Sequence, residues 1–255
     1  MQESLILAVE TSSRIGSVAI ALGSRLISET RFSGPLRHSA EIFPAIRGLL
    51  DRAGRVPMQI EQIYISDGPG SFTGLRIAVT LAKIMNLANA TKIITVNTLD
   101  IIAANAVRLT LRSVQLNSDG QAVPGNCDRM AAVLDAKRGQ FFIAIYERST
   151  DGTGKKRGND LWRKTVPDTL MTISQFHSRF THRKKPIGLL GDGLVYYKDR
   201  FEAEGVFFLD EQYWSPRANK VHHLGWQMAL DGQFVDPLTL IPNYLRKPDV
   251  TLKTR

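Results

Sequence analysis

The feature that most restricts what this chain can fold into is an internal repeat. "LAVETSSRIGSVAIAL" (7–22) and "AAVLDAKRGQFFIAIY" (131–146) share one order: an apolar strand, a carboxylate, a turn with glycine, and a second apolar strand. Short alternating runs bounded by turn residues predict paired strands rather than helices. After the first copy a third run, "RLISETRF", follows a short break, so three strands open the chain as an antiparallel meander. The period then changes. Ile42, Phe43, Ile46, Leu49 and Leu50 recur at helical spacing across 39–53, with Ser39 as the expected cap and Pro44 near the helix start. "IEQIYIS" reads as a strand, a glycine-rich turn launches a helix near Leu75, "KIITV" is a strand, and "TLDIIAANAVRL" a helix capped by Thr98. This order predicts an α/β fold whose mixed sheet begins antiparallel and continues through parallel crossovers.

The polar stretch 112–126 reads as a linker or exposed insertion. Beyond it come the second copy of the repeat, turning at Lys137 to Gly139, a strand in "LWRKTV", a helix in "TLMTISQFHSRF", and strand, glycine turn and helix start in "PIGLLGDGLVYY". "GTGKKRG" (152–158) reads as a hairpin tip. The expected division is a first lobe at 1–111, a second at 112–216, and a C-terminal helix and tail at 217–255 packing back on the first.

Charge and cysteine content narrow the partners. Thirty-three Lys+Arg against 24 Asp+Glu give a net charge of +9, which favours a polyanion such as RNA. The single cysteine, Cys127, forms no intramolecular disulfide, and the acidic start with its short apolar run fits neither a signal peptide nor a membrane span. The expectation is a cytoplasmic protein without membrane contact. His38, His177, His182, His222 and His223 lack metal-ligand spacing and read as surface or cap residues, so no metal site is expected.

The stretch "YISDGPGSFTGLRIAV" (64–79) has the grammar of a phosphate cradle: Gly68, Pro69, Gly70, Ser71, Phe72, Thr73 and Gly74 before a helix that begins with Leu75 and Arg76. It lacks the Lys-Ser/Thr pair of a phosphate-binding loop, and on residue chemistry a structural strand-to-helix turn is slightly favoured. Glu10 and Asp135 end the first strands of the two repeats and, with Gly191 and Gly193, could frame a cleft for a metal-nucleotide; each is equally at home as a turn residue. The helix after the motif is apolar around most of its circumference, leaving Arg76, Thr80 and Lys83 in a narrow polar arc. One sheet face cannot cover that much. Together with the preceding helix it predicts a partner-binding surface of Ile42, Phe43, Ile46, Leu49, Leu50, Ile77, Leu81, Ile84 and Met85. Leu81 or Ile84 made charged should then weaken partner binding and leave the monomer folded.

Taken together, "ILAVETSSRIGSVAIAL", "RHSAEIFPAIRGLL", "GPGSFTGLRIAVTLAK", "VNTLD", "VLDAKRGQFFIAIY" and "PNYLRK" span nearly the whole chain in order, and the sequence resembles the TsaB family. "GPGSFTGLRI" is the most specific match. The resemblance implies the actin, hexokinase and sugar-kinase-like (ASKHA) fold, with two related lobes, each a mixed sheet flanked by helices. It implies a non-catalytic subunit of the bacterial machinery that makes threonylcarbamoyladenosine beside the tRNA anticodon, one that binds the catalytic subunit TsaD, supports the ATPase TsaE, and needs no cofactor of its own. A homodimer is expected without TsaD, and contact with tRNA through the complex. TsaD-type chains carry a histidine metal motif after the strand matching "KIITV", whereas no histidine occurs from Thr91 to Gln121 here. Departures from the family pattern are Glu10 where many members have aspartate, a longer 112–126 stretch, and a more basic "TDGTGKKRGND". Lys155, Lys156, Arg157, Arg183, Lys184 and Lys185 could touch phosphates. The rival readings are an ATP-binding kinase-like enzyme or ATPase using Glu10 and Asp135, and a metallopeptidase.

Overall fold

The computed structural model describes residues 3–106, 128–148, 162–183 and 185–245. The 112–126 stretch, Cys127, the basic stretch 152–158 with Lys155, Lys156 and Arg157, Lys184 and the last ten residues lie outside them.

The first sheet is built by β1 (Leu5–Glu10), β2 (Ser17–Leu22), β3 (Arg25–Arg31), β4 (Ile60–Gly68) and β5 (Lys92–Asn97), in the order β3-β2-β1-β4-β5. β1 pairs antiparallel with β2 and β2 with β3, while β4 and β5 add in parallel. The second sheet is built by β6 (Arg129–Asp135), β7 (Gln140–Arg148), β8 (Trp162–Thr172), β9 (Ile187–Leu190) and β10 (Val206–Phe208), in the order β10-β9-β6-β7-β8. β6–β7 and β7–β8 are antiparallel, and β6–β9 and β9–β10 parallel. Traced from β8 to β10 the second sheet therefore repeats the first strand for strand. The repeat read in the sequence is a repeat of topology: two five-stranded mixed sheets with the same strand order and the same parallel and antiparallel pairings.

All six residues of β1 are buried because helices cover both faces of its sheet. Leu5, Leu7 and Val9 pack with α1 (His38–Arg52) and α2 (Phe72–Asn89); Ile6 and Ala8 pack with α5 (Ala218–Leu230). The short helix α3 (Thr98–Asn105) carries Leu99, Ile102 and Ala103 into the core of the second sheet, beside Met130 and Ala132. It ties the lobes together. Its Asn105 Nδ2 donates to the carbonyls of Tyr213 and Ser215, both at 2.9 Å.

Several local expectations are corrected. α1 starts at His38, and no side chain caps it. α3 is capped by Asn97, whose Oδ1 accepts from Leu99 N at 2.9 Å and Asp100 N at 3.1 Å; Thr98 is already helical. β8 runs on to Thr172 because its pairing with β7 continues to Gln140, so α4 begins only at Ile173, behind a Thr172/Gln175 capping box. The turn after β9 starts a 3-10 turn, Asp192–Leu194, rather than a regular helix. β10, with three residues and no clear alternation, escaped the sequence reading.

Candidate functional site

The glycine motif is bound to its own protein. Ser71 N donates to Ser12 O at 2.7 Å, Thr11 Oγ1 to Gly74 O at 2.7 Å, and Gly74 N to Ser71 Oγ at 3.3 Å, the last being the cap of α2. A Cβ on Gly74 would stand 1.8 Å from Thr11 O, and one on Gly70 2.3 Å from Ser12 O. The glycines let the start of α2 lie directly on the turn after β1. Gly68, at φ +125, faces Asn243 O, and Asn243 N donates to Asp67 O at 2.7 Å, which draws the C-terminal "PNYL" against the motif. Phe72 packs against Tyr244 at 5.2 Å between ring centroids. A phosphate cradle needs free amides, and here those of Ser71 and Gly74 are used internally. Arg76 and Thr73 lie exposed in the first turns of α2, Arg76 with its guanidinium 5.3 Å from the Phe72 ring centroid.

The two repeats converge on a cleft of about 500 Å³ between the lobes, lined by the turns after β1, β4, β6 and β9. Glu10 lies fully buried behind it, its Oε1 accepting from Ser12 N and Ser12 Oγ at 2.6 Å each, with no partner on Oε2. Burial pushes its carboxyl up to about 7, against the opposing Ser12 hydrogen bonds. Asp135 accepts from Lys137 N and pairs with Lys137 Nζ, both at 2.7 Å. Gly191 and Gly193 pack onto the end of β6, where a Cβ would meet Val133 O at 2.1 Å and Asp135 N at 2.9 Å. Between them stands Asp192, which the sequence reading passed over. It is buried, accepts from Arg14 N across the lobes at 3.3 Å, and burial raises its carboxyl to about 6. The signal was available: in the second repeat the strand beside β6 also ends in a glycine and a carboxylate.

Glu10 gives a prediction with a definite sign. Its folded pKa, near 7, lies above the ordinary value of 4.5. Its contribution is therefore fully present below the unfolded pKa and is lost as pH rises through the folded one. Glu10→Gln keeps an oxygen for Ser12 but cannot ionise. The variant should match the parent near pH 4 and exceed its stability by about 1–3 kcal/mol at pH 8. Denaturant titrations at the two pH values measure this.

The predicted apolar surface divides in two. Ile42, Ile46, Leu49, Leu50 and Leu81 face the first sheet and are buried, so they are core rather than interface. Ile77 and Met85 are half-buried against that core. Phe43 (63% exposed) and Ile84 (56%) remain on the outer side, joined by Leu87 at 88%, which is not among the predicted surface residues. His38 and His222 are likewise interior, not surface, residues: their Nε2 atoms bond Ser13 O at 3.0 Å and Gly23 O at 2.9 Å. Among the described residues no group of three or more His, Cys, Asp or Glu is placed to hold a metal, and no helix is long and apolar enough to cross a membrane.

Comparison with known proteins agrees with this geometry. The family model described as TsaD, tRNA N6-adenosine threonylcarbamoyltransferase, matches residues 35–153. The tRNA threonylcarbamoyladenosine biosynthesis protein TsaB of Bacillus subtilis is 27% identical over 252 residues, covering 97% of this chain and 96% of that protein. The Escherichia coli protein of the same name is 24% identical, covering 94% of each. Among solved structures, YeaZ from Pseudomonas aeruginosa superposes with a TM-score of 0.72 at 23% identity, over 95% of this chain and all of the other. The resemblance read from the motifs thus holds along the whole length: this chain is similar from end to end to the proteins named TsaB, and it has the fold of YeaZ.

Proposed function

We propose that the chain is a non-catalytic subunit of the machinery that forms threonylcarbamoyladenosine in tRNA, and that it works by binding the catalytic subunit TsaD. The observation that carries this reading is the outer face of α1 and α2. Phe43, Ile84 and Leu87 stand exposed on two helices that lie on the same face of the first sheet. Three large apolar side chains presented on paired helices fit a helical partner better than solvent. The relatives named TsaB support the pathway; TsaD as the partner is what the motif resemblance implies. Without that partner the face should self-associate as a homodimer. Support of TsaE, contact with tRNA and a cytoplasmic location belong to the same proposal.

The cleft favours the scaffold over the ATPase reading. Its glycine turns are occupied by main-chain carbonyls, and Asp135 is already paired with Lys137. Binding to TsaD tests the proposal. Ile84→Glu with Leu87→Glu should weaken association by at least tenfold while leaving the unfolding midpoint within a few degrees of the parent. Titration calorimetry showing parental affinity in that double variant would remove the interface.

A further inference from the structure

The mouth of the interlobe cleft is the part of the molecule that the scaffold role leaves unused. Two aromatic positions flank it, one from each lobe. Tyr196, 67% exposed, follows β9 in the second lobe; Phe72, 43% exposed, opens α2 in the first and packs on Tyr244. Each carries a guanidinium over its ring: Arg14 lies 4.5 Å from the Tyr196 centroid, and Arg76 5.3 Å from that of Phe72. The Arg14–Tyr196 pair spans the two lobes.

Cations outnumber carboxylates at this mouth: Arg14, Lys137 and Arg138 line the cleft against Asp135 and Asp192. Lys137 and Arg138 stand exposed on the β6–β7 turn. The carboxylates nearby are accounted for, since Asp135 is paired with Lys137 and Asp192 is buried on the Arg14 amide. Exposed rings, guanidinium planes beside them, a cationic rim and a cavity of about 500 Å³ make the combination by which proteins hold unpaired bases. A protein partner would also accept aromatic and arginine side chains. The concave shape and the excess of cations favour the polyanion.

We propose that the cleft mouth takes an unpaired base of an RNA segment, stacked on Tyr196 and the Phe72–Tyr244 pair, with flanking phosphates on Arg14 and Arg76. The proposal rests on the tRNA reading above for which RNA is bound, while its chemistry comes from this cleft alone. Fluorescence anisotropy of the full chain with a labelled RNA stem-loop tests it. The stem-loop should bind more weakly as salt rises, and Tyr196→Ala and Arg14→Ala should each lower affinity about tenfold. Both variants should keep the unfolding midpoint within a few degrees of the parent, because Tyr196 is 67% exposed and the hydrogen bond to Asp192 comes from the backbone of Arg14. A loop-free RNA duplex should bind more weakly than the stem-loop, and excess magnesium-ATP should not displace it. Several results would overturn the idea: no RNA binding, unchanged affinity in both variants, a duplex binding as well as the stem-loop, displacement by the mononucleotide, or loss of TsaD binding in Tyr196→Ala with RNA affinity intact. RNA binding is read without TsaD, so it can succeed where the scaffold role fails, and the reverse.

Discussion

Gly74→Ala should be among the most damaging single-methyl changes in the chain. The added carbon would stand 1.8 Å from Thr11 O, and both partners are backbone-fixed: Gly74 in the first turn of α2, Thr11 in the turn after a fully buried strand. Relief requires shifting α2 from the sheet, which strains the Ser71–Ser12 and Thr11–Gly74 hydrogen bonds as well. Overpacking of this kind costs about 2–3 kcal/mol or more, which in a chain of this size lowers the midpoint by roughly 5–10 °C. Gly48→Ala is the control. Gly48 lies inside α1, its nearest non-local neighbour is a flexible Arg52 tip at 3.5 Å, and alanine should raise stability by about 0.5–1 kcal/mol. Thermal unfolding of the two variants beside the parent decides the matter; a Gly74→Ala midpoint equal to the parent would mean that the motif's glycines serve something other than close packing.

Leu81→Glu should behave quite unlike Ile84→Glu, although the two residues are three apart on one helix. Leu81 is 8% exposed and packed among the residues between α1, α2 and the first sheet. A glutamate there loses the apolar burial and sets an unpaired carboxylate in the core, a cost of about 3–5 kcal/mol. Ile84, more than half exposed, loses little by becoming polar. Chemical denaturation should therefore show a large fall in midpoint for the first and a small change for the second. Equal stabilities would place Leu81 on the surface.

That contrast shows where sequence periodicity stops being informative. α2 is apolar around most of its circumference, so spacing marks the outward line of Arg76, Thr80, Lys83 and Leu87 but not how far the buried stripe extends on either side of it. Leu87 and Leu81 are the same amino acid with opposite environments, set by the packing of α2 against β4 and α1. The two-sheet repeat was legible because both hairpins carry it in residues that alternate and turn. The boundaries that failed did so where a tertiary pairing overrode a local preference, as when β7 held Thr169 to Thr172 in a strand. The cleft was half legible. Glu10, Asp135 and the two glycines could be matched by the repeat. Arg14 and Tyr196 gain their meaning only when the second lobe folds over the first.

The glycine motif illustrates the same point from chemistry. Gly-rich turns before helices serve phosphates in many proteins because they present free amides. Here the same backbone freedom brings α2 against the turn after β1, and the amides of Ser71 and Gly74 are consumed in doing so. The sequence allowed both outcomes, and the hydrogen bonds separate them.

The central claim is activation of a catalytic partner through the α1/α2 face. Its most direct test is threonylcarbamoyl transfer to tRNA by TsaD and TsaE from the same source, supplied with threonylcarbamoyl-adenylate, with and without this chain. The account predicts turnover that depends on adding the chain, survives Glu10→Gln, and falls sharply with Ile84→Glu and Leu87→Glu combined. Turnover that is the same with and without the chain would contradict it.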